Sequence, residues 1–439
     1  MEIDIHKRVC SCEVQKAKEG SKAVVAGFAA EVKSLGKIAF IKLRDREGFV
    51  QLVSTDSKLI DKISKIPQES VIVAEGKVKK SKLKAGGNEL DLEHFEILSE
   101  AQKLPIDISG KIETDLSKRL DYRYIDLRNP KNLAIFKIRA EITRAVREFL
   151  TNNGFIEMQT PKLVGMGAEG GATLFTIPDY YGKKAYLAQS QQFYKQLMQI
   201  SGFERVFEIG PSFRAEKSHT VRHMTEFSHI DVELSFIKDL DDVLKIGEGL
   251  LAHALTCVKK NCQEELKLLG VEIELAKLPL PRVNYTEAID MLRKAGSKIK
   301  QGEDIGMEDE KLLGELVKKK FKSDAYFLQK FPWKLDVCKF YSMREGNFGS
   351  VADFEYKGQE LFTGAQREHR VEILKKQIKE KGLKEKDFEY YIEPFKYGCP
   401  PHGGFGMGLD RLTQYMLNLP NVREATLFQI GRASCRERV

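Results

Sequence analysis

The sequence lacks the long apolar run that a membrane span requires. A transmembrane helix needs about 18 or more consecutive apolar residues, and no stretch of the chain approaches that length. The N-terminal segment MEIDIHKRVC carries charged residues and no apolar core, so it does not have the pattern of a secretory signal. These absences predict a cytoplasmic protein with no membrane attachment.

Cysteines are few and phosphate-binding loops are missing. The seven cysteines form an odd set in a large chain, which argues against a disulfide framework and predicts a reduced compartment. Cys10 and Cys12 have no second pair at zinc-ligand spacing.

Neither a GxxxxGK[ST] loop nor a strand–GxGxxG–helix pattern occurs, so a bound nucleotide would need another kind of site.

The composition is that of a globular protein with a mild basic excess. Hydrophobic residues make up 42% and charged residues 31% of 439 residues, and a length of this size predicts two or three domains at about 150 residues each. A net charge of +8 suits a polyanionic partner without proving one.

Five short runs rich in Val, Ile and Phe predict a small β domain near the N-terminus. The runs span residues 24–32, 37–45, 49–54, 71–79 and 89–98. Glycines punctuate them, and a short helical stretch lies between the third and fourth runs. This order is typical of an OB-fold, a barrel that commonly binds oligonucleotides.

The second part of the chain predicts an α+β domain. Apolar residues recur at helical spacing over 138–150, ending at an Asn-Asn-Gly stop. The strand-like runs that follow are not separated by regular crossover helices, which favours a mixed or antiparallel sheet flanked by helices. We therefore predict an OB barrel over 1–104, a linker over 105–130 and a second domain over 131–428.

Two segments concentrate polar chemistry. FEIGPSFRAEKSHTVRHMTEFSHIDVELSF (207–236) reads as two strands enclosing a cation-rich loop, and arginine forks match phosphate oxygens. PPHGGFGMGLDRLTQYML (400–417) is a glycine-rich strand that runs into an amphipathic helix with Arg411 at its start.

These segments resemble the motifs of class II aminoacyl-tRNA synthetases. GFIEMQTP (154–161), the FRAE hairpin with RHMTEF, and GFGMGLDRL are similar to motifs 1, 2 and 3 of that family. With an N-terminal OB domain, the chain resembles the subclass for aspartate, asparagine and lysine. QSQQFYKQLM (189–198) and GQELFTGAQREH (358–369) are most similar to the archaeal-type aspartyl enzymes, although Gln191 replaces a usual proline.

The resemblance implies an aspartate–tRNA ligase that uses ATP and Mg²⁺ and acts as a homodimer through motif 1. The residues it implies for ATP binding are Arg214, Glu216, Arg222, His223, Phe227, Glu360, Gly408 and Arg411. Those implied for aspartate binding are Glu169, Gln192, Lys195, Arg214, Asp231, Thr363 and Arg367. Asp353, Glu360 and Thr363 are the implied magnesium ligands, and Arg214, Glu360 and Arg411 are the implied catalytic residues.

The chemistry of these residues agrees with the resemblance. Lys195 and Arg367 are cations suited to the side-chain carboxylate of aspartate, while Asp231 and Glu169 suit its ammonium. Arg214 would bridge the reacting α-carboxylate and the α-phosphate. Phe227 would stack under adenine, with Glu216 at its amino group, and His223 and Arg411 would hold the outer phosphates.

The barrel would read the anticodon of tRNA-Asp. Phe40 stacks on a base and Gln51 reads a base edge in this interpretation, with Arg44 in support. Phe28 can stack but offers no polar edge, which favours charging of both tRNA-Asp and tRNA-Asn; Lys84 instead matches the strict type. The sequence leaves this choice open.

Two alternatives remain, and one segment departs from the family pattern. An asparaginyl-tRNA synthetase or an amidating paralogue would share the motifs, and a non-catalytic RNA-binding paralogue would have lost Arg214, Glu360 or Arg411, all of which are present. The last eleven residues, QIGRASCRERV (429–439), do not match the family's usual ending and read as a non-native tail.

Overall fold

The chain divides into two units, Met1–Asp126 and Leu127–Val439, in the computed structural model. The structure describes residues 3–81, 86–165, 167, 174–215 and 220–428. Within that part of the chain, no helix is both long enough and apolar enough to cross a bilayer.

The first unit is a closed five-stranded barrel, as the alternating runs predicted. Its strands are β1 (Lys22–Leu35), β2 (Ile38–Arg44), β3 (Phe49–Ser54), β4 (Val71–Lys80) and β5 (Asn88–Ser99). Its helices are α1 (Ser11–Lys16), α2 (Ser57–Ile63), α3 (Leu116–Asp121) and α4 (Arg123–Asp126). The strand order around the barrel is β1-β2-β3-β5-β4, and α2 lies between β3 and β4 in sequence. This arrangement confirms the OB-fold expectation.

Alternation along the barrel strands separates core from surface. In β2, Ala39, Ile41 and Leu43 are buried in the barrel core, so Phe40 and Lys42 lie on the outer face. The structure also extends the first unit beyond the barrel. Helices α3 and α4 lie within the segment that the sequence assigned to a linker, and the structure groups them with the first unit.

The second unit is built on an eight-stranded sheet. Its helices are α5 (Pro130–Asn152), α6 (Gln192–Ile200), α7 (Leu240–Asn261), α8 (Gln263–Leu269), α9 (Tyr285–Lys294), α10 (Met307–Phe321), α11 (Val371–Glu380), α12 (Glu389–Ile392) and α13 (Leu409–Met416). Its strands are β6 (Ile156–Glu157), β7 (Leu163–Val164), β8 (Thr176–Tyr180), β9 (Lys183–Leu187), β10 (Arg205–Phe213), β11 (Glu226–Ser235), β12 (Arg282–Asn284), β13 (Ala325–Gln329), β14 (Arg344–Glu345), β15 (Phe348–Gly349), β16 (Val351–Tyr356), β17 (Glu360–Gln366) and β18 (His402–Gly408).

The main sheet is mixed, with antiparallel strands at its centre. Its order is β12-β13-β16-β17-β18-β11-β10-β6, and only the pairs at its two ends, β12–β13 and β6–β10, are parallel. Ile230, Val232 and Leu234 of β11 share one apolar core with α5 and α7. The alternate residues of the same strand are polar and occupy the opposite face, which is where the candidate site lies.

Helix α5 begins at Pro130, earlier than the apolar repeat over 138–150 indicated, and ends at Asn152, within the predicted Asn-Asn-Gly stop. Asn129 caps it, because its side chain accepts a hydrogen bond from the Lys131 amide, and Pro130 occupies the first position. The chain leaves the helix through Gly154, whose φ of +79° suits glycine. The apolar stripe of α5, including Ile138, is buried in the core of the chain itself.

Candidate active site

A cavity of about 440 Å³ lies on the polar face of the main sheet. Strands β11, β16, β17 and β18 and helix α13 contribute to its walls. The predicted site residues that line it are Gln192, Arg214, Arg222, His223, Phe227, Asp231, Asp353, Glu360, Thr363, Arg367, Gly408 and Arg411. Residues from segments far apart in sequence are therefore brought to one place.

Strand β11 presents a row of three polar side chains. His229, Asp231 and Glu233 alternate with core residues, so they point to the same face. Asp231 and Glu233 are 1% and 0% exposed. His229 Nδ1 lies 2.7 Å from Asp231 Oδ2, at ion-pair distance but without hydrogen-bond orientation.

Lys195 lies behind this row rather than on the cavity wall. Its Nζ is 2.9 Å from Asp231 Oδ1 and 3.5 Å from Glu233 Oε2, and it donates to the Phe405 carbonyl at 2.9 Å. Burial raises the pKa of the Asp231 carboxyl, but His229 and Lys195 outweigh burial, so the pKa falls below its ordinary value. Asp231 is therefore ionised.

Arg367 shares Glu233 with Lys195 but does reach the cavity. Its Nε donates to Glu233 Oε1 at 2.9 Å, and its Nη2 donates to the Gly404 carbonyl at 2.9 Å. Burial lowers the pKa of Arg367, and Glu233 more than offsets that effect. The two predicted cations thus meet on a carboxylate of the chain itself, which the sequence analysis did not identify.

Glycines in β18 make this packing possible. A Cβ atom at Gly404 would lie 2.0 Å from the Val232 carbonyl oxygen and 2.3 Å from Glu233 Oε2. At Gly406 it would lie 2.6 Å from His229 Cε1. Strand β18 can therefore approach the charged row of β11 only because it carries no side chains at these positions.

Three arginines and one histidine line the other end of the cavity. Arg214 Cζ lies 5.4 Å from the centre of the Phe227 ring. Arg222 Nη1 pairs with Glu310 Oε2 at 2.6 Å, and His223 Nδ1 is 2.6 Å from Thr220 Oγ1. Arg411 lies in the first turn of α13 and donates from Nε to the Arg222 carbonyl at 3.4 Å.

A group of carboxylates lines the same cavity, and Glu360 Oε2 lies 4.0 Å from Arg411 Nη1. Thr363 Oγ1 lies 2.7 Å from Asp353 Oδ1 and 3.3 Å from Glu360 Oε1. Burial, followed by the charge of Glu360, raises the pKa of the Asp353 carboxyl well above its ordinary value. Closely spaced carboxylates beside a hydroxyl fit a divalent cation that takes oxygen ligands, so the donor set is compatible with Mg²⁺.

Several functional candidates escaped the sequence analysis. His229 and Glu233 lie two residues before and after Asp231 on the same strand. Because alternate residues of a strand share a face, this spacing could have indicated that both lie beside Asp231. Glu310 and Glu355 also line the cavity. Glu355 Oε2 is buried and has no hydrogen-bond partner among the described residues; burial and then Glu310 raise the pKa of its carboxyl.

Three predicted residues, Glu169, Glu216 and Lys84, lie outside the described residues, as does the tail 429–439.

Away from the cavity, Glu148, His253 and Cys257 group at distances that a metal would allow. Arg144 Nη1 already lies 2.6 Å from Glu148 Oε2, however. A cation of the chain occupies that carboxylate, so we assign no metal to this group.

The outer face of the barrel forms a separate candidate surface. Phe28, Phe40 and Gln51 alternate with core residues and are half-buried on this face. Gln51 Nε2 donates to Glu89 Oε2 at 3.0 Å. Arg44 is 8% exposed and bonded through both Nη atoms to Glu69, with its Cζ 5.2 Å from the Phe28 ring centre. Arg44 therefore supports Phe28 from within the barrel wall.

Known proteins with similar sequences and structures match both units. The profile of class II tRNA synthetases (D, K and N) matches residues 115–431, and that of the OB-fold nucleic acid binding domain matches residues 23–98. The aspartate–tRNA(Asp) ligase of Pyrococcus furiosus is 45% identical over 430 residues, covering 96% of this chain and 98% of that protein. The aspartate–tRNA(Asp/Asn) ligase of Methanopyrus kandleri is 43% identical over 432 residues, covering 97% and 98%.

Solved structures agree in fold. The asparaginyl-tRNA synthetase of Pyrococcus horikoshii complexed with asparaginyl-adenylate matches with a TM-score of 0.89 at 33% identity, covering 98% of this chain and 99% of that one. The aspartyl-tRNA synthetase of Entamoeba histolytica matches with a TM-score of 0.87 at 31% identity, covering 99% and 92%. With a profile match over most of its length and relatives above 40% identity, this chain belongs to the class II aminoacyl-tRNA synthetases of the aspartate, lysine and asparagine group.

Proposed function

We propose that the protein activates L-aspartate with ATP and transfers it to the 3′-OH of tRNA-Asp. The observation that carries the proposal is the polar end of the cavity, where Arg367 lines the wall and Lys195 lies directly behind the carboxylates it contacts. Aspartate–tRNA ligases with more than 40% identity support the same substrate.

In the first step the α-carboxylate of aspartate attacks the α-phosphorus of ATP, and pyrophosphate leaves. Arg214, beside the Phe227 ring, would neutralise charge on the α-phosphate while the ring supports adenine. Arg411 and His223 would hold the departing phosphates. Mg²⁺ at Asp353, Glu360 and Thr363 would screen the phosphate charge when bound.

The second step transfers the aspartyl group to tRNA. The terminal ribose hydroxyl attacks the mixed anhydride, an ester bond forms and AMP leaves. Little acid–base chemistry is required of the protein, because its contribution is to position the two reactants and stabilise charge.

An asparaginyl-tRNA synthetase is the second candidate, and one observation favours it. Asp231 and Glu233 match Lys195 and Arg367 in number, so this buried cluster is neutral in formal charge. The neutral side-chain amide of asparagine would need a contact that both donates and accepts a hydrogen bond. The two cations, Lys195 and Arg367, and the aspartate-specific relatives instead favour the carboxylate of aspartate.

The test is amino-acid-dependent ATP–pyrophosphate exchange with aspartate and asparagine. We expect aspartate to be preferred by a factor that can reach about 10⁴, since a neutral amide cannot replace the charge-assisted hydrogen bonds that a carboxylate would accept from Arg367 at the cavity wall. Comparable kcat/KM values for the two amino acids would refute the assignment.

The choice of tRNA needs a separate experiment. We propose that Phe28, which can stack on a base without a hydrogen bond to its edge, permits charging of both tRNA-Asp and tRNA-Asn. Both transcripts should be aspartylated side by side. An efficiency for tRNA-Asn more than about a hundredfold lower, equal to a loss of about 2.7 kcal/mol, would identify a strict enzyme.

A further inference from the structure

Arg139 of helix α5 reaches a buried carboxylate next to the candidate ATP site. Its Nη2 lies 2.9 Å from Asp410 Oδ1 and donates to Ser228 Oγ at 2.9 Å. The Arg139 side chain is 16% exposed, and the residue is not part of the cavity wall. One guanidinium therefore holds two residues that belong to different elements.

Asp410 connects those elements beyond the end of their strand pairing. The ladder between β11 and β18 ends at the pair His229–Gly408, where β18 turns into α13. Past that point Asp410 Oδ2 accepts a hydrogen bond from the Ser228 amide at 2.7 Å. The carboxylate thus keeps the start of α13 attached to β11 where backbone pairing has stopped.

Each held residue is next to a predicted ATP contact. Ser228 follows Phe227, the proposed adenine support, and Asp410 precedes Arg411, the proposed phosphate contact. Phe227 and Arg411 both line the cavity. The distance between the adenine and phosphate ends of the site therefore depends on the contact between Ser228 and Asp410.

Arg139 supplies the counter-charge that this contact requires. Asp410 is 2% exposed, and a buried carboxylate that loses its partner is costly and tends to take up a proton or move. Burial raises the pKa of the Asp410 carboxyl, while Arg139 opposes that change. Without Arg139, the acceptor for the Ser228 amide would be weakened.

We propose that Arg139 is a positioning residue for ATP, which fixes the separation of Phe227 and Arg411 through Asp410 and Ser228. Arg139 touches neither substrate in this arrangement. The inference rests on the proposed function, because it takes Phe227 and Arg411 to be ATP contacts. It adds a link from helix α5 to the nucleotide site that the sequence motifs do not indicate.

The test is Arg139→Gln in the full chain, assayed by aspartate-dependent ATP–pyrophosphate exchange and by calorimetric titration with ATP. We expect the KM for ATP to rise about tenfold, within the range of coupling that contacting groups show, and the KM for aspartate to stay within about twofold of the wild type. Calorimetry should show the same loss of ATP affinity without requiring activation.

Matched variants separate positioning from general damage. Arg144→Gln, on the exposed part of the same helix and ion-paired with Glu141 and Glu148, should leave both KM values unchanged. Asp410→Asn added to Arg139→Gln should recover part of the ATP affinity, since it removes the uncompensated carboxylate. If Arg139→Gln does not fold, Arg139→Met, which removes the charge while keeping a long side chain, is judged by the same criteria.

The outcomes are distinct. A KM for ATP within about twofold of the wild type, or equal increases in KM for ATP and aspartate, would overturn the positioning role. No recovery in the double variant would also overturn it. A wild-type protein that binds ATP but shows no aspartate-dependent exchange would instead refute the proposed function, while the effect of Arg139 on ATP affinity could still be measured.

Discussion

In the buried cluster around Glu233, two cations are balanced by two carboxylates. Lys195 and Arg367 contact Glu233, and Lys195 also contacts Asp231, all at 5% side-chain exposure or less. Such groups are expensive to bury alone, and removing one member of a buried pair typically costs about 3–5 kcal/mol. Each member therefore fixes the position of the others before any substrate arrives.

His402 predicts how the fold responds to acid. It is fully buried, its Nε2 is 3.0 Å from Gln196 Nε2, and its Nδ1 is 2.8 Å from the Pro400 carbonyl. Nδ1 is therefore the protonated nitrogen. Burial lowers the pKa of His402 from 6.5 to about 4. Between those values the unfolded chain binds the proton more readily, so stability falls as pH falls.

The loss from His402 alone should be about 2 kcal/mol between pH 7 and about pH 5. Urea unfolding of the wild type and of His402→Gln at both pH values measures it. The variant should lose less stability on acidification than the wild type, since it has no proton to take up at this position. Equal losses in the two proteins would show that His402 does not titrate as described.

At the level of residues, the sequence identified the cavity wall better than the layer behind it. Arg214, Glu360 and Arg411 were predictable because family motifs mark their positions along the chain. The partners Glu233 and Arg139 were not, because their role depends on which atoms meet after folding. No local sequence pattern shows that Glu233 contacts both Lys195 and Arg367, which come from other segments of the chain.

Secondary-structure elements were predictable where alternation was strong. The barrel strands follow the five apolar runs because each buries every second side chain. The segment from 263 to 330 received no assignment, yet it forms α8, β12, α9, α10 and β13. Strand β12 and helices α9 and α10 pack into a separate apolar cluster around Tyr285, whereas Leu266 of α8 belongs to the main core. This tertiary packing is not visible in local periodicity.

Strand β3 provides a prediction for tRNA use. Gln51 lies on the outer barrel face near Phe40, and Gln51→Ala should weaken tRNA-Asp use by about 1–3 kcal/mol, mainly through the KM for tRNA. Stacking tolerates any base, so a hydrogen-bonding group must supply selectivity. ATP–pyrophosphate exchange, which involves no anticodon, serves as the internal control and should be almost unchanged. An unaltered KM for tRNA would exclude Gln51 from recognition.

For the whole molecule, we expect the homodimer predicted through motif 1 to use the GFIEMQTP segment (154–161) rather than the apolar stripe of helix α5. The apolar stripe of α5 packs inside its own chain, so it is not available to a partner. Strand β6 lies at the end of the main sheet, and Ile156 there and Leu163 of β7 are 50% and 47% exposed. We expect an isologous dimer that covers this edge.

Light scattering at micromolar concentration should give the mass of two chains. The pair Ile156→Lys and Leu163→Lys should shift the mass toward one chain, because it places charges in an apolar contact. Leu275→Lys changes a leucine that is 48% exposed elsewhere in the second unit and should have no effect. A wild-type mass of one chain would contradict the expectation.

The glycines of β18 also set limits on how this site can change over time. Any side chain at Gly404 or Gly406 would collide with backbone or with charged groups of β11, whereas a Cβ at Gly408 would only touch the Arg411 side chain at 3.6 Å. A single substitution at Gly404 or Gly406 would therefore create steric clashes that the movement of one neighbouring side chain cannot relieve. Substitutions on α6 or β17 could alter the amino-acid preference during evolution. Gly404 and Gly406 of β18 must remain glycine, however, so sequence variation in this pocket is confined to the elements that face β18.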